Sequence, residues 1–191
     1  MSNYVPPFEI TNNMLDRVSS IMRNIGKLDN YKDLNKMPIL RRNNRIKSIY
    51  SSLAIEANSL SLKQVKDVID GKPVIGPQDE IQEVKNAYEA YKMIGDVNPY
   101  SIKDLKKVHG SMTCLLAKDA GEFRKGNEGV FDENGNCIHV CPPPDQVNKL
   151  MNELFDWMKK NNKNINPLIL SSVFHYEYVF IHPFSDGNGR T

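Results

Sequence analysis

Apolar residues recur at three- and four-residue spacing along most of this chain, the period of one helix face. Leu15, Val18, Ile21, Met22 and Ile25 predict a helix from Asn12 to about Leu28, with Gly26 near its end. Ile46, Ile49, Leu53 and Ile55 predict a second from Ile39 to about Ala57, turned mostly toward a core. Ser61 and Gln64 have the spacing of a capping box and open a short helix through Val65, Val68 and Ile69. Asp79 to Ile94 carries Ile81, Val84, Ala87, Tyr88 and Tyr91 on one face. Ser101 with Asp104 caps the next helix, which runs through Leu105, Val108, Met112 and Leu115. The run Pro142-Pro143-Pro144-Asp145 starts another, with Val147, Leu150, Met151, Leu154, Phe155 and Met158 inward. After Pro167, the positions Leu168, Ile169, Ser172, Val173, Tyr176, Val179 and Phe180 define a last long helix. It ends near Pro183, because the residue before a proline is pushed out of the α region. Residues 29–38 and 71–78 read as loops.

Residues 121–140 break this rhythm. Asn134-Gly135 lies between the short apolar runs Val130-Phe131 and Ile138-His139-Val140, a strong hairpin signal. A lone hairpin is marginal in water, so it must pack on helices. Arg124 and Lys125 at its start are read as ligands or as solvated side chains alike. Cys137, His139 and Cys141 alternate and would share a face, but a tight strand separates zinc ligands poorly around a tetrahedral ion. Three cysteines, an odd count without secretory context, read as reduced thiols.

Length and charge narrow the picture only a little. A chain of 191 residues holds one core, with a small N-terminal extension. The net charge of +2 gives no global argument for nucleic acid as a partner. The basic run Arg41, Arg42, Arg45 and Lys47 spreads over several helix faces, as a solvated surface does. No stretch is long and apolar enough to span a membrane, and the polar N-terminus has no apolar signal-peptide region. A cytoplasmic location and no membrane partner are the expectation. His109 and His175 read as packed helix histidines. Tyr176, Tyr178 and Phe180 read as core.

The chemistry is concentrated at the end of the chain, His182-Pro183-Phe184-Ser185-Asp186-Gly187-Asn188-Gly189-Arg190-Thr191. Phosphoryl and nucleotidyl transfer need a base, a metal and donors for phosphate oxygens. His182 is the candidate base, since imidazole titrates near neutrality. Asp186 offers the hard oxygens that suit Mg²⁺. Gly187 and Gly189 let backbone N–H groups approach an anion closely. A helix starting near Asn188 would add its unpaired N–H groups, and Arg190 a planar fork of donors. Asn188 can help to hold the loop through its amide, and Phe184 points to the core and anchors it.

At these residues the chain resembles the Fic family, whose signature H-x-F-x-(D/E)-G-N-G-R-x-x-R it matches from His182 to Arg190. The resemblance implies an all-α, Fic-like helical domain with one β-hairpin flap. It also implies a protein adenylyltransferase that moves AMP from ATP to a Ser, Thr or Tyr hydroxyl of a target protein. In that reading His182 is the general base and Asp186 carries Mg²⁺. Gly187, Asn188, Gly189 and Arg190 hold the phosphates. The second signature arginine would fall two residues beyond Thr191, so the motif is expected to be incomplete here and activity of this species alone doubtful.

Upstream, Ser52-Leu53-Ala54-Ile55-Glu56-Ala57 is similar to the inhibitory segment (S/T)-x-x-x-E-(G/N) of many Fic proteins. Four residues apart, Ser52 and Glu56 share one helix face. The resemblance implies that Glu56 points into the nucleotide site, pairs with the second signature arginine and blocks the γ-phosphate. Ala57 departs from the pattern, with Asn58 one position later. The expected organisation is an N-terminal helical extension over 1–38 and a Fic domain over 39–191, with its inhibitory helix near 45–58. A target segment, or a segment of the chain itself, is expected to dock on the flap, residues 121–140, by strand addition. Two alternatives stand beside transfer. One is a hydrolase on the same site that removes AMP, with Glu56 directing water. The other is a nucleotide- or protein-binding module without turnover.

Overall fold

The computed structural model describes residues 4–29, 37–132 and 134–191. Among the described residues the chain is helical, apart from one antiparallel hairpin. The helices are α1 (Asn12–Asp29), α2 (Pro38–Ile55), α3 (Leu62–Ile69), α4 (Gln78–Met93), α5 (Ile102–Met112), α6 (Pro144–Asn161) and α7 (Pro167–Ile181). The hairpin pairs β1 (Gly129–Phe131) with β2 (Cys137–Val140). The predicted all-α class with one hairpin is what the fold has.

Local chemistry sets several boundaries. The capping box is present: Ser61 Oγ accepts from the Gln64 N–H while the Gln64 side chain accepts from the Ser61 N–H. Ser101 likewise accepts from the Asp104 N–H. Pro38, Pro144 and Pro167 stand at the first helical positions of α2, α6 and α7, where a missing N–H costs nothing. The hairpin loop is wound around Asp132, whose carboxylate accepts from the N–H groups of Asn134 and Asn136 and from the Asn136 side chain. Gly135 takes a positive φ there, as the Asn-Gly signal requires. Glu133 and most of the predicted loop 29–38 lie outside the described residues.

Two packed clusters divide the molecule. One joins α6 and α7 with Phe123 and Phe184, around Met151, Leu154, Phe155, Ile169, Val173 and Ile181. The other joins α2, α3 and α4, around Ile49, Leu53, Val65, Val84 and Ala87, and takes Met112 from α5. Helix α5 packs on both α4 and α6, so it stands at the seam. The C-terminal loop reaches that seam from α7.

Several expected core positions are not inward. Ile55, the last residue of α2, is 82 % exposed. Leu115 lies beyond the end of α5 with positive φ and is exposed. Helix α7 is apolar nearly all round, so spacing alone could not choose its buried face. Ile169, Leu170, Val173, Tyr178 and Ile181 are buried, whereas Tyr176 and Phe180 face outward. His175 is exposed rather than packed. On α1, Leu15, Ile21, Met22 and Ile25 are exposed; Met14 and Val18 make its contact with the core.

Candidate active site

Helix α7 stops where Pro183 demands it. His182 caps the helix in the left-handed region, φ 50° and ψ 63°, with its N–H donating to Tyr178 O at 2.9 Å. A non-glycine residue there costs roughly 1–2 kcal/mol. Buried Arg124 holds the strained turn. Its Nε donates to His182 O at 2.7 Å, and its backbone N–H to Pro183 O at 2.9 Å. Its two terminal nitrogens reach Gly126 O, Pro142 O and Ile181 O. One guanidinium thus ties the end of α7 to both roots of the hairpin. Its side chain is not solvated, and it is a structural partner of the motif that local sequence did not single out.

Phe184 is fully buried, as expected, and stacks on the His109 ring with centroids 3.6 Å apart and 4° between planes. Burial of a phenyl ring of this size stabilises the loop by about 2–3 kcal/mol. His109 is buried too and bonds at both nitrogens. Nδ1 accepts from the Gly121 N–H at 2.9 Å, so Nε2 carries the proton and donates to Asp186 O at 2.9 Å. Burial pushes its imidazole below the ordinary histidine range, which fits this neutral tautomer. The packed reading of His109 is what the structure has, with the added role of bracing the motif loop. Asn188 braces it from inside: its side chain accepts from the Phe184 N–H at 2.9 Å and donates to Phe184 O at 2.8 Å.

The glycines fit tight places. Gly187 has φ +75°, and a Cβ there would come within 2.7 Å of Thr113 Cγ2 and 3.4 Å of His109 Nε2. A Cβ on Gly189 would collide with the Glu56 carboxylate, meeting Oε1 first and lying 3.1 Å from Cδ. The Glu56 carboxyl group therefore lies directly against the motif loop, although 133 residues separate the two along the chain. Residues 187–191 form one turn rather than a long helix, closed by the Thr191 N–H and hydroxyl donating to Gly187 O at 3.1 and 2.8 Å.

Glu56 is delivered by the way α2 ends. It is the C-cap residue; the Ala57 N–H donates to Ala54 O at 3.2 Å and the Asn58 N–H to Leu53 O at 3.0 Å. That pair of bonds is a Schellman closure, with Ala57 left-handed at φ 66°. The position prefers glycine or asparagine for conformational reasons, since a Cβ is unfavourable there. Ser52 lies one turn back on α2, half-buried.

Arg190 is the charged centre of the loop. Its side chain is only 6 % exposed, and its Nη2 donates to both oxygens of Asp186 at 2.7 and 2.8 Å. Nη1 donates to Glu83 Oε1 at 2.5 Å, and Nε is buried with no hydrogen-bond partner. Burial pushes the Asp186 carboxyl up, but the Arg190 bonds and charge outweigh it and hold the group below the usual carboxylate range. Asp186 is therefore ionised at neutral pH. His182 is half-buried, and burial pushes its imidazole below the ordinary histidine range, so it is neutral and able to take a proton.

The loop thus brings together His182, Phe184, Asp186, Gly187, Asn188, Gly189 and Arg190, with Glu56 facing them. The hairpin lies on α7 beside this loop, where His139 Nε2 is 2.8 Å from Phe180 O. Cys137 is exposed and Cys141 buried, so they do not share the environment expected of alternating strand residues. Among the described residues, no group of three or more His, Cys, Asp or Glu side chains is arranged around a common metal position.

Residues 99–191 match the Fic/DOC family. A protein adenylyltransferase Fic of Nematostella vectensis is 31 % identical over 152 residues, which is 75 % of this chain and 34 % of that protein. The protein of the same name in Aedes aegypti is 32 % identical over 159 residues, 76 % of this chain and 30 % of its own. The chain thus spans about a third of the length of these curated relatives. The crystal structure of a Fic family protein from Desulfovibrio desulfuricans superposes with a TM-score of 0.91 at 45 % identity, covering 98 % of this chain and 57 % of that one. With its helical scaffold, its hairpin and its His182–Arg190 loop, the chain belongs to the Fic/DOC family.

Proposed function

We propose that this chain carries the catalytic loop of a protein adenylyltransferase, which moves AMP from ATP to a Ser, Thr or Tyr hydroxyl of a protein, and that Glu56 restrains it. The observation that carries this reading is the shape of the 182–191 loop. A neutral imidazole stands at one end, an ionised carboxylate and a buried guanidinium at the other, and two side-chain-free positions lie between. The curated relatives at 31–32 % identity bear that activity in their names.

In the proposed step the target hydroxyl oxygen attacks the α-phosphorus. The bond from that phosphorus to the bridging oxygen of the β-phosphate breaks, and pyrophosphate leaves. His182 takes the hydroxyl proton as the new P–O bond forms. The N–H groups around Gly187 and Gly189 and the unpartnered Nε of Arg190 supply donors for phosphate oxygens. The donor set fits Mg²⁺, which takes one or two carboxylates alongside substrate phosphates, and Asp186 is the residue that would hold it. Bound there, the ion would neutralise phosphate charge. Asp186 now spends both oxygens on Arg190, so that pair must loosen for an oxygen to become free.

Glu56 supports the restraint. A carboxylate against Gly189 repels phosphate oxygens and fills the space they would use. The same position supports the second reading, a hydrolase in which Glu56 directs water onto an AMP-modified residue. The hairpin would align the acceptor segment by strand addition, in the target or in the chain itself, since main-chain pairing demands little of sequence. In this reading residues 1–38 are an N-terminal extension and residues 39–191 the Fic domain. No described helix is long and apolar enough to cross a membrane.

ATP labelled at either the α- or the γ-phosphate separates the readings. Label from the α-position on protein supports transfer. Release of AMP from a modified target, lost on Glu56→Ala, supports the hydrolase. Thermal stabilisation by ATP without either product leaves a binding module.

A further inference from the structure

Between the inhibitory turn and the catalytic loop stands a third carboxylate, Glu83 of α4, which the motif does not include. Its side chain is 18 % exposed and its two oxygens serve different masters. Oε1 accepts from Arg190 Nη1 at 2.5 Å, and Oε2 accepts from Asn58 Nδ2 at 2.8 Å. Asn58 is buried and is the residue whose N–H closes the end of α2. Its Oδ1 also accepts from the Leu60 N–H at 3.1 Å, and its Nδ2 reaches Glu80 O at 3.2 Å. Glu80, one turn before Glu83, accepts from the Ser59 N–H and hydroxyl at 2.7 Å. One face of α4 thus grips the turn that presents Glu56.

We infer that Glu83 is a positioning residue that couples the inhibitory turn to Arg190, so that Glu56 is held against Gly189 only while Arg190 is paired with Glu83. The chain of contacts runs Asp186, Arg190, Glu83, Asn58, and then through the Schellman closure to Glu56. Phosphate oxygens and Glu83 compete for the same guanidinium donors. A ligand that draws Arg190 toward itself weakens the Glu83 contact. It thereby slackens the hold on Asn58 and on the turn that aims Glu56. Glutamine at 83 keeps the size of the side chain but loses the charge that holds Arg190.

This inference rests on Glu56 acting as the restraint, and a double-mutant cycle keeps the two claims apart. ATP affinity, with Mg²⁺ present, is measured by calorimetry for the unaltered chain, Glu83→Gln, Glu56→Gly and the double variant. Thermal melting of each controls for folding. Glu83→Gln is expected to tighten ATP about fivefold, the lower end of ordinary coupling between sites. In the Glu56→Gly background the same change is expected to do less than about twofold, within the non-additivity of coupled sites. Equal gains in both backgrounds would mean that Glu83 acts on Arg190 alone, and would overturn the coupling. No gain in the unaltered chain would overturn it as well. Should Glu56→Gly fail to tighten ATP, the restraint itself is wrong and the inference falls with it. Asn58→Ala leaves the Arg190–Glu83 pair in place; it must show the same background dependence, and it decides the matter if Glu83→Gln does not fold.

Discussion

The two halves of the His182–Arg190 loop are held by different forces. The front half, His182 to Phe184, is fixed by buried, neutral contacts and by carbonyls bonded to Arg124. The back half, Asp186 to Arg190, shares neutral bonds to His109 and Phe184 and adds ion pairs among Asp186, Arg190 and Glu83, with Glu56 close by. The first kind of hold is lost only by unfolding. The second can change partners when another anion arrives, since a charged oxygen replaces a charged oxygen. A catalytic base needs a fixed position and a phosphate site needs exchangeable donors. In the proposed reading, the loop separates those needs along nine residues.

The sharpest way to break the front half is Arg124→Met, which takes the side-chain donor from four carbonyls, three part-buried and one, Ile181 O, buried. A loss of about 3–5 kcal/mol is expected, read as a lower denaturant midpoint or failure to fold. His109→Ala removes the ring beneath Phe184 and should cost about 2–4 kcal/mol by the same measurement. Acid tests the same half more gently. Burial lowers the imidazoles of His109 and His182, so the unfolded chain binds those protons more readily. The stability they support is present above the ordinary value of 6.5 and is lost as pH falls through their folded-state range. Unfolding free energy should therefore drop as pH falls below 6.5, and less steeply in His109→Gln. The back half should respond in function instead. Glu56→Gly is expected to raise the transfer rate by about tenfold with little change in melting temperature. The smallest expected effect is Ala57→Gly. It should add up to about 1 kcal/mol, because glycine accepts the left-handed φ of 66° without the Cβ penalty.

Much of the front half could be read from the chain itself. Pro183 announced the end of α7, Phe184 its own burial, and Asn134-Gly135 the hairpin turn. These are signals within a few residues of their effect. Arg124 and Glu83 gave no such signal. Arg124 looks like any loop arginine until the carbonyls of residues 126, 142, 181 and 182 converge on it. Glu83 sits on the polar side of an amphipathic helix, where a solvated carboxylate is the ordinary expectation. Its partners lie 25 and 107 residues away. The buried face of α7 was also illegible, because a helix apolar nearly all round has no clear direction until its neighbours are placed. Glu56 was legible as a motif residue; its delivery by a left-handed Ala57 was not.

The most direct test of the account compares Glu56→Gly with Glu56→Gly/His182→Ala, in a chain extended through the second signature arginine, using α-labelled ATP and a hydroxyl-bearing protein acceptor. The account predicts label on protein with the first and at least about a hundredfold less with the second, while both bind ATP equally. Equal labelling by the two, or label that arrives from the γ-phosphate instead, would contradict it.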